Sequence, residues 1–450
     1  MIIDMVPEVA LLEIFHFYVD DDKPPSMEEW PTLHVRRKWY TLVHVCRKWR
    51  NVVFGSPRRL NLRLPCSART PVRETIDAWP LLPIVVLGFG HETWGVDNII
   101  AALEHNDRIR RLNLKLFPRS QMEKVLAEMQ QPFPALEDLQ LHSTSETEVV
   151  PDSFLGGSAP QLQELNLDSI RFPGLLKLLL SATHLDTLHL IDIPHSGYFS
   201  PEAIVTSLST LTSLERLIIK FKSPRSRPDR RRRPPPLTRT LLPALTRFEF
   251  KGVSEYLEDL VTRIDAPLLD GFHITFFHQL IFDTPQLTQF ISRTPEFNAY
   301  DHTLVQFFDS SVQVSTIDEA LKLNISCKQS DWQLSSLAQV YGSIFVSTVE
   351  HLDIEEDTYS SPSWQDDIET GQWLELLHRL TAVKYLHISL EFTPRIAPTL
   401  EELAGGRAIE VLPFLQTLLL EETLPSDVQE TIDKFAAARE LAGHPIAVSH

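Results

Sequence analysis

The chain contains only three cysteines in 450 residues. Cys46, Cys66 and Cys327 are odd in number and far apart in the sequence, which argues against a disulfide framework and fits reduced thiols. No apolar run is long enough to span a bilayer, and the first residues lack the basic and apolar regions of a secretory signal. We therefore expect a protein of the cytoplasm, the nucleus or both, without a membrane partner.

Common catalytic and cofactor motifs are also missing. The sequence has no GxxxxGK[ST] loop, no HExxH, no paired CxxC and no GxSxG. Gly88-Phe89-Gly90 is a lone GxG, and the following His91-Glu92 is more readily a polar turn than an acid–base pair. His142, His189 and His273 fall in separate strand-like segments, so we do not expect them to share a metal ion. We predict no enzymatic activity, no cofactor and no metal. An enzyme would need a concave polar pocket with carboxylates of perturbed pKa.

Positive charge is scarce. The net charge is -18, which argues against general nucleic-acid binding because such binding needs a basic surface. No Lys or Arg occurs between Lys328 and Arg379, whereas ten Asp and Glu residues do. This stretch is either ordinary solvated surface or an acidic patch that selects a basic partner.

Two stretches near the start have the spacing of amphipathic helices. Pro7 suits the first turn of a helix, since its missing N–H costs nothing there, and apolar residues follow at helical intervals through Tyr18. The second stretch, Leu42–Pro57, predicts one continuous helix over Leu42–Val53 with a wide apolar face that needs to be buried. The apolar positions of that helix are Leu42, Val45, Cys46, Trp49 and Val53.

Beyond residue 57 a Leu-x-x-Leu-x-Leu pattern, or an apolar variant of it, recurs ten times. Its polar–apolar alternation predicts a strand. Capping signals at Ser120 with Glu123, at Ser200-Pro201-Glu202 and at Thr284-Pro285 predict helices between the strands. Spacings often in the twenties favour a strand-plus-helix leucine-rich repeat over an irregular α/β protein in which leucines merely recur. The matches begin at Ile109, Leu136, Leu162, Leu185, Leu214, Leu245, Leu269, Val349, Val383 and Leu415.

Two segments interrupt the repeats. Between the repeats that start at Leu269 and Val349, Thr303–Phe308 and Leu321–Cys327 predict extra strands. Ser223–Pro236, SPRSRPDRRRRPPP, is too rich in Pro and Arg to form a ladder or a core, so we predict a disordered surface loop. That loop is a nuclear import signal, an RNA contact or a plain solvated insertion.

The N-terminal residues resemble an F-box, a motif written roughly Leu-Pro-x-Glu-Leu-Leu-x-x-Ile-Phe and later Val-Cys-Lys-x-Trp. The matching residues are Val6-Pro7, Leu11-Leu12, Ile14-Phe15 and Val45-Cys46-Arg47-Lys48-Trp49. The first half departs from the pattern, because a valine stands at the acidic position and another at the leading Leu. The whole chain is similar to fungal F-box proteins with degenerate leucine-rich repeats.

This resemblance implies an α/β protein. A small three-helix F-box module over residues 1–57 is followed, over residues 58–450, by an irregular leucine-rich-repeat horseshoe. It also implies a substrate receptor of a Skp1–cullin–F-box ubiquitin ligase, in which the helices bind the Skp1 adaptor and the repeats hold a protein target. The alternative is a repeat scaffold without a ubiquitin role, whose N-terminal helices cap the solenoid.

Within the helical module, Trp49 is the strongest single candidate for the Skp1 contact, because buried Trp side chains often anchor interfaces. The candidates for this interface, or for the module's own core, are Pro7, Leu11, Leu12, Ile14, Phe15, Val45, Cys46, Trp49 and Val53.

In a horseshoe, the strand residues between the leucines face the concave side, where we expect the target to bind. This row shifts from basic to acidic along the chain. Its candidates are Arg111, Asn113, Lys115, Asp138, Gln140, His142, Glu164, Asn166, Asp168, Arg216, Lys220, His351, Asp353 and Glu355.

Overall fold

The structure is a computed structural model of the chain. It divides into two compact units, Met1–Gly197 and Tyr198–His450. The described residues are 6–19, 38–55, 62–68, 71–78, 82–90, 95–145, 150–228, 238–279, 281–298, 300–327, 331–344, 349–356, 370–420 and 424–449.

The first unit contains a parallel sheet in which the strands follow chain order from β1 to β6. Its strands are β1 (Leu62–Pro65), β2 (Ile84–Phe89), β3 (Ile109–Phe117), β4 (Asp138–Ser143), β5 (Glu164–Asp168) and β6 (Thr187–Ile193). Its helices are α1 (Glu8–Val19), α2 (Lys38–Val45), α3 (Arg47–Gly55), α4 (Val72–Ala78), α5 (Val96–Leu103), α6 (Arg119–Glu128) and α7 (Leu175–Leu179).

The second unit contains a mixed sheet and a two-stranded parallel pair, β8 with β10. Its helices are α8 (Pro201–Leu208), α9 (Ser254–Val261), α10 (Pro285–Arg293), α11 (Asp331–Ile344), α12 (Thr370–Arg379), α13 (Thr393–Ala404) and α14 (Ser426–Leu441). Its strands are β7 (Arg216–Phe221), β8 (Thr240–Leu241), β9 (Arg247–Gly252), β10 (Ile264–Asp265), β11 (Gly271–Phe276), β12 (His302–Phe308), β13 (Ser311–Thr316), β14 (Leu321–Ser326), β15 (His351–Glu356), β16 (Tyr385–Ile388), β17 (Thr417–Leu420) and β18 (Ala447–Ser449).

Residues 302–326 explain why the repeat spacing breaks. The main sheet of the second unit has the order β7-β9-β11-β14-β13-β12-β15-β16-β17-β18. Strands β12, β13 and β14 pair antiparallel as a meander, whereas β11 with β14 and β12 with β15 pair parallel. The two predicted extra strands are therefore confirmed as β12 and β14, and the sequence prediction missed β13 between them.

Buried leucines in matched register hold the strands together. Leu139, Leu165 and Leu188 are direct partners across β4, β5 and β6, and each is fully buried. Burying one such side chain contributes about 1.5–3 kcal/mol. Buried apolar residues alternate along the parallel strands, and helices lie in most of the connections between these strands, so the units have a leucine-rich-repeat type of fold. No helix of the described residues is long and apolar enough to cross a membrane.

The predicted continuous helix over Leu42–Val53 is wrong. It breaks at Cys46, between α2 and α3. The backbone N–H of Trp49 donates to Cys46 Sγ at 3.5 Å, and Arg50 Nε donates to the Val43 carbonyl at 3.0 Å. Cys46 is therefore a half-buried residue that caps α3, rather than the core residue that helical spacing predicts.

Helix caps are partly supplied by neighbouring repeats. Ser200 Oγ accepts from the N–H of Ala203 at 3.2 Å, as its sequence signal predicts. Ser120 makes no such cap, because α6 already begins at Arg119 after Pro118. At α10, the Glu258 carboxylate of α9 accepts the N–H groups of Gln286 and Leu287 at 2.9 and 2.7 Å. Such a cap is not visible in the sequence next to α10.

The glycines of the lone GxG have a packing role. A Cβ on Gly88 would come within 2.6 Å of the Leu114 side chain, and a Cβ on Gly90 would overlap the backbone carbonyl of Leu116. Both residues allow β2 to lie close against β3.

We expect Gly90→Ala to lower the free energy of unfolding by roughly 1–3 kcal/mol, since the backbone of β3 must shift to admit a methyl group. Gly371→Ala is the matched control, because its Cβ meets nothing within 4 Å in α12 and alanine is the better helix former. Urea unfolding followed by circular dichroism measures both. A Gly90→Ala midpoint equal to that of the parent would contradict the packing role.

Candidate interaction surfaces

The three N-terminal helices share a small core. Phe15 of α1 is fully buried, and its ring lies 4.8 Å from the ring of Trp49, at 60°. Lys48 Nζ donates to the Val6 carbonyl at 2.9 Å, which ties α3 to the segment just before α1. The indole Nε1 of Trp49 is buried and has no hydrogen-bond partner among the described residues. Trp49 thus contributes to the internal packing of these helices.

The structure divides the nine predicted Skp1-interface residues into two groups. Four residues are buried and two are half-buried, whereas Pro7, Ile14 and Val45 are exposed. Ile14 and Val45 are each 53% exposed. The buried and half-buried residues are Leu11, Leu12, Phe15, Val53, Cys46 and Trp49.

Sequence reasoning missed Val9, which is 65% exposed on α1. The sequence of α1 has apolar residues on more than one side, which indicates that some of them stay exposed but not which ones. A helix of this kind buries one side in its own module and leaves other apolar residues uncovered. Pro7, Val9, Ile14 and Val45 form the set that we call the exposed apolar residues of the helical module.

The predicted target-binding residues lie where the alternation places them. On β4 and β5, for example, the half-buried residues Asp138, Gln140, Glu164 and Asn166 alternate with fully buried leucines. All fourteen predicted residues occupy such strand positions and are half-buried, except Arg216, which is exposed. We call these alternate strand side chains the polar face of each unit.

Hydrogen bonds cross the polar face of the first unit from strand to strand. Asn113 Nδ2 donates to Gln140 Oε1 at 2.9 Å, and Gln140 Nε2 donates to Glu164 Oε1 at 3.0 Å. His142 Nε2 lies 3.5 Å from Asp168 Oδ2. Because these side chains hold one another, a partner would meet a polar surface that is already ordered.

Asp138 has an unusual environment on this face. Burial, and after it the neighbouring Glu164 carboxylate, raise the pKa of Asp138 to about 7 against the opposing effects of Arg111, Gln140 and Lys115. Its strand partners in the register are Arg111 on β3 and Glu164 on β5. Asp138 is therefore a carboxyl that gains or loses its proton near neutral pH.

The polar face of the second unit includes residues that sequence reasoning missed. Arg247 and Lys251 on β9 are register partners of Arg216 and Lys220 on β7. Arg247 is an intervening position of the motif that starts at Leu245, and Lys251 directly follows the last apolar residue of that motif.

Two further missed residues flank the predicted Asp353 of β15. His302 Nε2 is 2.8 Å from Asp353 Oδ2, and His387 Nδ1 is 3.7 Å from Asp353 Oδ1. The ring of His351 stacks on Tyr385 with centroids 4.3 Å apart. In the described part of the chain, no group of three or more His, Cys, Asp or Glu side chains is arranged to hold a metal ion.

Replacing Asp138 by Asn tests its environment. Since the pKa of Asp138 is higher in the folded chain than its ordinary value near 4, the free energy of unfolding falls as pH rises from about 4 to about 7. Asn does not titrate. We therefore expect the free energy of unfolding of the variant, relative to that of the parent, to rise by roughly 1–2 kcal/mol between pH 5 and pH 7. Urea unfolding at four pH values measures this gain, with Asp107→Asn on an exposed turn as the control. Parallel pH profiles for parent and Asp138→Asn would contradict it.

No family model matches the chain, and no curated protein sequence matches it significantly. Among solved structures, the leucine-rich-repeat-containing protein LegL7 from Legionella pneumophila is 12% identical, with a TM-score of 0.28, over 84% of this chain and 98% of that one. A chain in the complex of Rad7 and Elc1 in yeast is 11% identical, with a TM-score of 0.29, over 93% of this chain and 90% of that one. At these TM-scores neither likeness adds to what the strand and helix geometry shows, which is a leucine-rich-repeat type of fold.

Proposed function

We propose that this chain is the substrate-recognition subunit of a Skp1–cullin–F-box ubiquitin ligase. In this function α1, α2 and α3 bind an adaptor of the Skp1 type, and the repeats hold a protein target. Catalysis belongs to partner proteins, and this chain supplies binding surfaces. The chain works in the cytoplasm, the nucleus or both.

The observation that carries the proposal is the division of the apolar residues in the helical module. Its buried residues, including Phe15 and Val53, account for internal packing. Its exposed apolar residues, among them Ile14 and Val45, leave apolar surface uncovered, and such surface supports a contact with another protein. Val45 is the last residue of α2, directly before the cap at Cys46, and its side chain is 53% exposed.

A target would bind on the polar faces. Their side chains are half-buried, charged or amide-bearing, and tied across strands by hydrogen bonds such as that from Gln140 to Glu164. This supports recognition by a preformed surface, in which little side-chain entropy is lost on binding.

The second candidate is a repeat scaffold without a ligase role. The core around Phe15 and Trp49 would serve a solenoid cap equally well, because terminal repeats need an apolar cover. The exposed apolar residues favour the ligase subunit over the scaffold. A solenoid cap needs only the apolar residues that it buries, and it gives no use for apolar residues that stay exposed.

Ile14→Glu and Val45→Glu test the adaptor contact directly. Both side chains are exposed, so we expect the variants to fold, and we expect Skp1 recovered in a copurification to fall at least tenfold when a charge enters an apolar contact. Leu180→Glu is the control, because Leu180 is a 48% exposed residue outside the helical module. Two outcomes would contradict the proposal. One is a parent that does not copurify with Skp1, and the other is folded variants that bind Skp1 as well as the parent does.

Trp49→Ala has a different expected effect. Since the half-buried indole packs on Phe15, we expect the helical module to lose roughly 1–3 kcal/mol of stability, less than for truncation of a fully buried aromatic side chain. Limited proteolysis between residues 6 and 55 measures it, and Trp49→Phe, which keeps an aromatic ring, should be cut more slowly than Trp49→Ala. Equal cleavage of Trp49→Ala and parent would show that Trp49 has no packing role.

A further inference from the structure

Four basic side chains meet on the polar face of the second unit. On both β7 and β9, half-buried or exposed residues alternate with fully buried ones. The alternation places Arg216 and Lys220 of β7 beside Arg247 and Lys251 of β9, and the strand register pairs them directly. We call these four residues the basic patch.

Within β7 and β9, a single carboxylate accompanies the four cations of the basic patch. Glu249 is the one carboxylate on these two strands, and it lies 2.6 Å from Lys220 Nζ. Arg216, Arg247 and Lys251 have no ion-pair partner among the described residues, although Lys251 Nζ lies 5.8 Å from the ring centre of Phe277. In a chain of net charge -18, this local excess of positive charge is a surface that favours an anionic partner.

The distance between the basic residues of the patch favours a partner in an extended conformation. The arginine pair and the lysine pair are four residues apart along the strands, or about 13 Å at 3.3 Å per residue. An extended peptide has the same rise, and its residues i and i+4 project from the same side. Between the two pairs lie Ile218 and Glu249, which favour an uncharged residue at i+2.

We propose that the basic patch binds an extended segment of the protein target that carries carboxylate side chains at positions i and i+4 and an uncharged residue at i+2. The inference rests on the proposed function, since it assigns one part of the target to one part of the polar face. A protein segment fits better than a nucleic acid, because the cations stand in two pairs about 13 Å apart, whereas a nucleic acid carries a phosphate at every nucleotide and would meet the general negative charge of the chain.

Fluorescence anisotropy with the full chain tests this assignment. The probe is a labelled nine-residue peptide of serine and valine with glutamates at positions 3 and 7, and its isomer has them at positions 3 and 6. We expect the first peptide to bind more tightly, because its carboxylates share a side. We expect the double variant Arg216→Ser with Arg247→Ser to weaken binding about tenfold, and higher salt to weaken the parent's binding.

The matched control removes the same charge elsewhere in this unit. Arg407→Ser with Lys434→Ser replaces two cations that are 43% and 51% exposed outside the strands, and we expect peptide affinity like that of the parent. Arg216→Gln with Arg247→Gln keeps most of the side-chain length, and it should bind as weakly as the serine variant if charge is the cause.

Three outcomes would overturn the inference. They are equal affinity of parent and both patch variants, equal affinity for the two isomeric peptides, and tighter patch-dependent binding of an oligothymidine than of the peptide. Copurification of Skp1 with the same preparations keeps the two proposals apart. A patch variant that retains Skp1 but binds the peptide like the parent refutes only the basic patch, whereas a parent without Skp1 refutes the ligase function.

Discussion

The structure depends on the burial of apolar strand residues in matched register. In parallel strands, Leu139, Leu165 and Leu188 stand side by side, and one slipped residue would turn every leucine of a strand to the opposite side. Because only alternate residues of a strand are buried in this way, the residues between them do not pack in the core. The polar faces arise because the core uses only half of each strand, so the residues between the leucines can vary with the partner while the fold is kept.

The periodicity of the sequence was sufficient to predict the features that recur in every repeat. Strand positions, the strand-plus-helix unit and the half-buried state of residues such as Gln140 and Asp353 follow from alternation. Alternation says nothing about which strands become neighbours, so the contact of Asp353 with His302 required the structure. That contact exists because the meander brings β12, rather than β14, beside β15.

Local features were predicted less well, for physical reasons that differ between sites. The apolar spacing of Leu42–Val53 satisfies one helix, but a sulfur that accepts a backbone N–H allows a new helix to start at Arg47. The apolar residues of α1 could not be sorted into buried and exposed, because a helix that is apolar on several sides has no single preferred face. Skp1 binding and target binding stay proposals supported by exposed and polar surfaces.

The cap that Glu258 provides to α10 has a consequence for how the second unit assembles. The first turn of α10 relies on a carboxylate that is in place only when α9 is formed. Ser254 at the start of α9 in turn donates its N–H to Gln279, which comes later in the chain. Neighbouring repeats thus supply hydrogen bonds to each other's helix ends, so a folded repeat stabilises the repeat next to it. Damage to a single repeat would therefore loosen its neighbours before it reached distant ones.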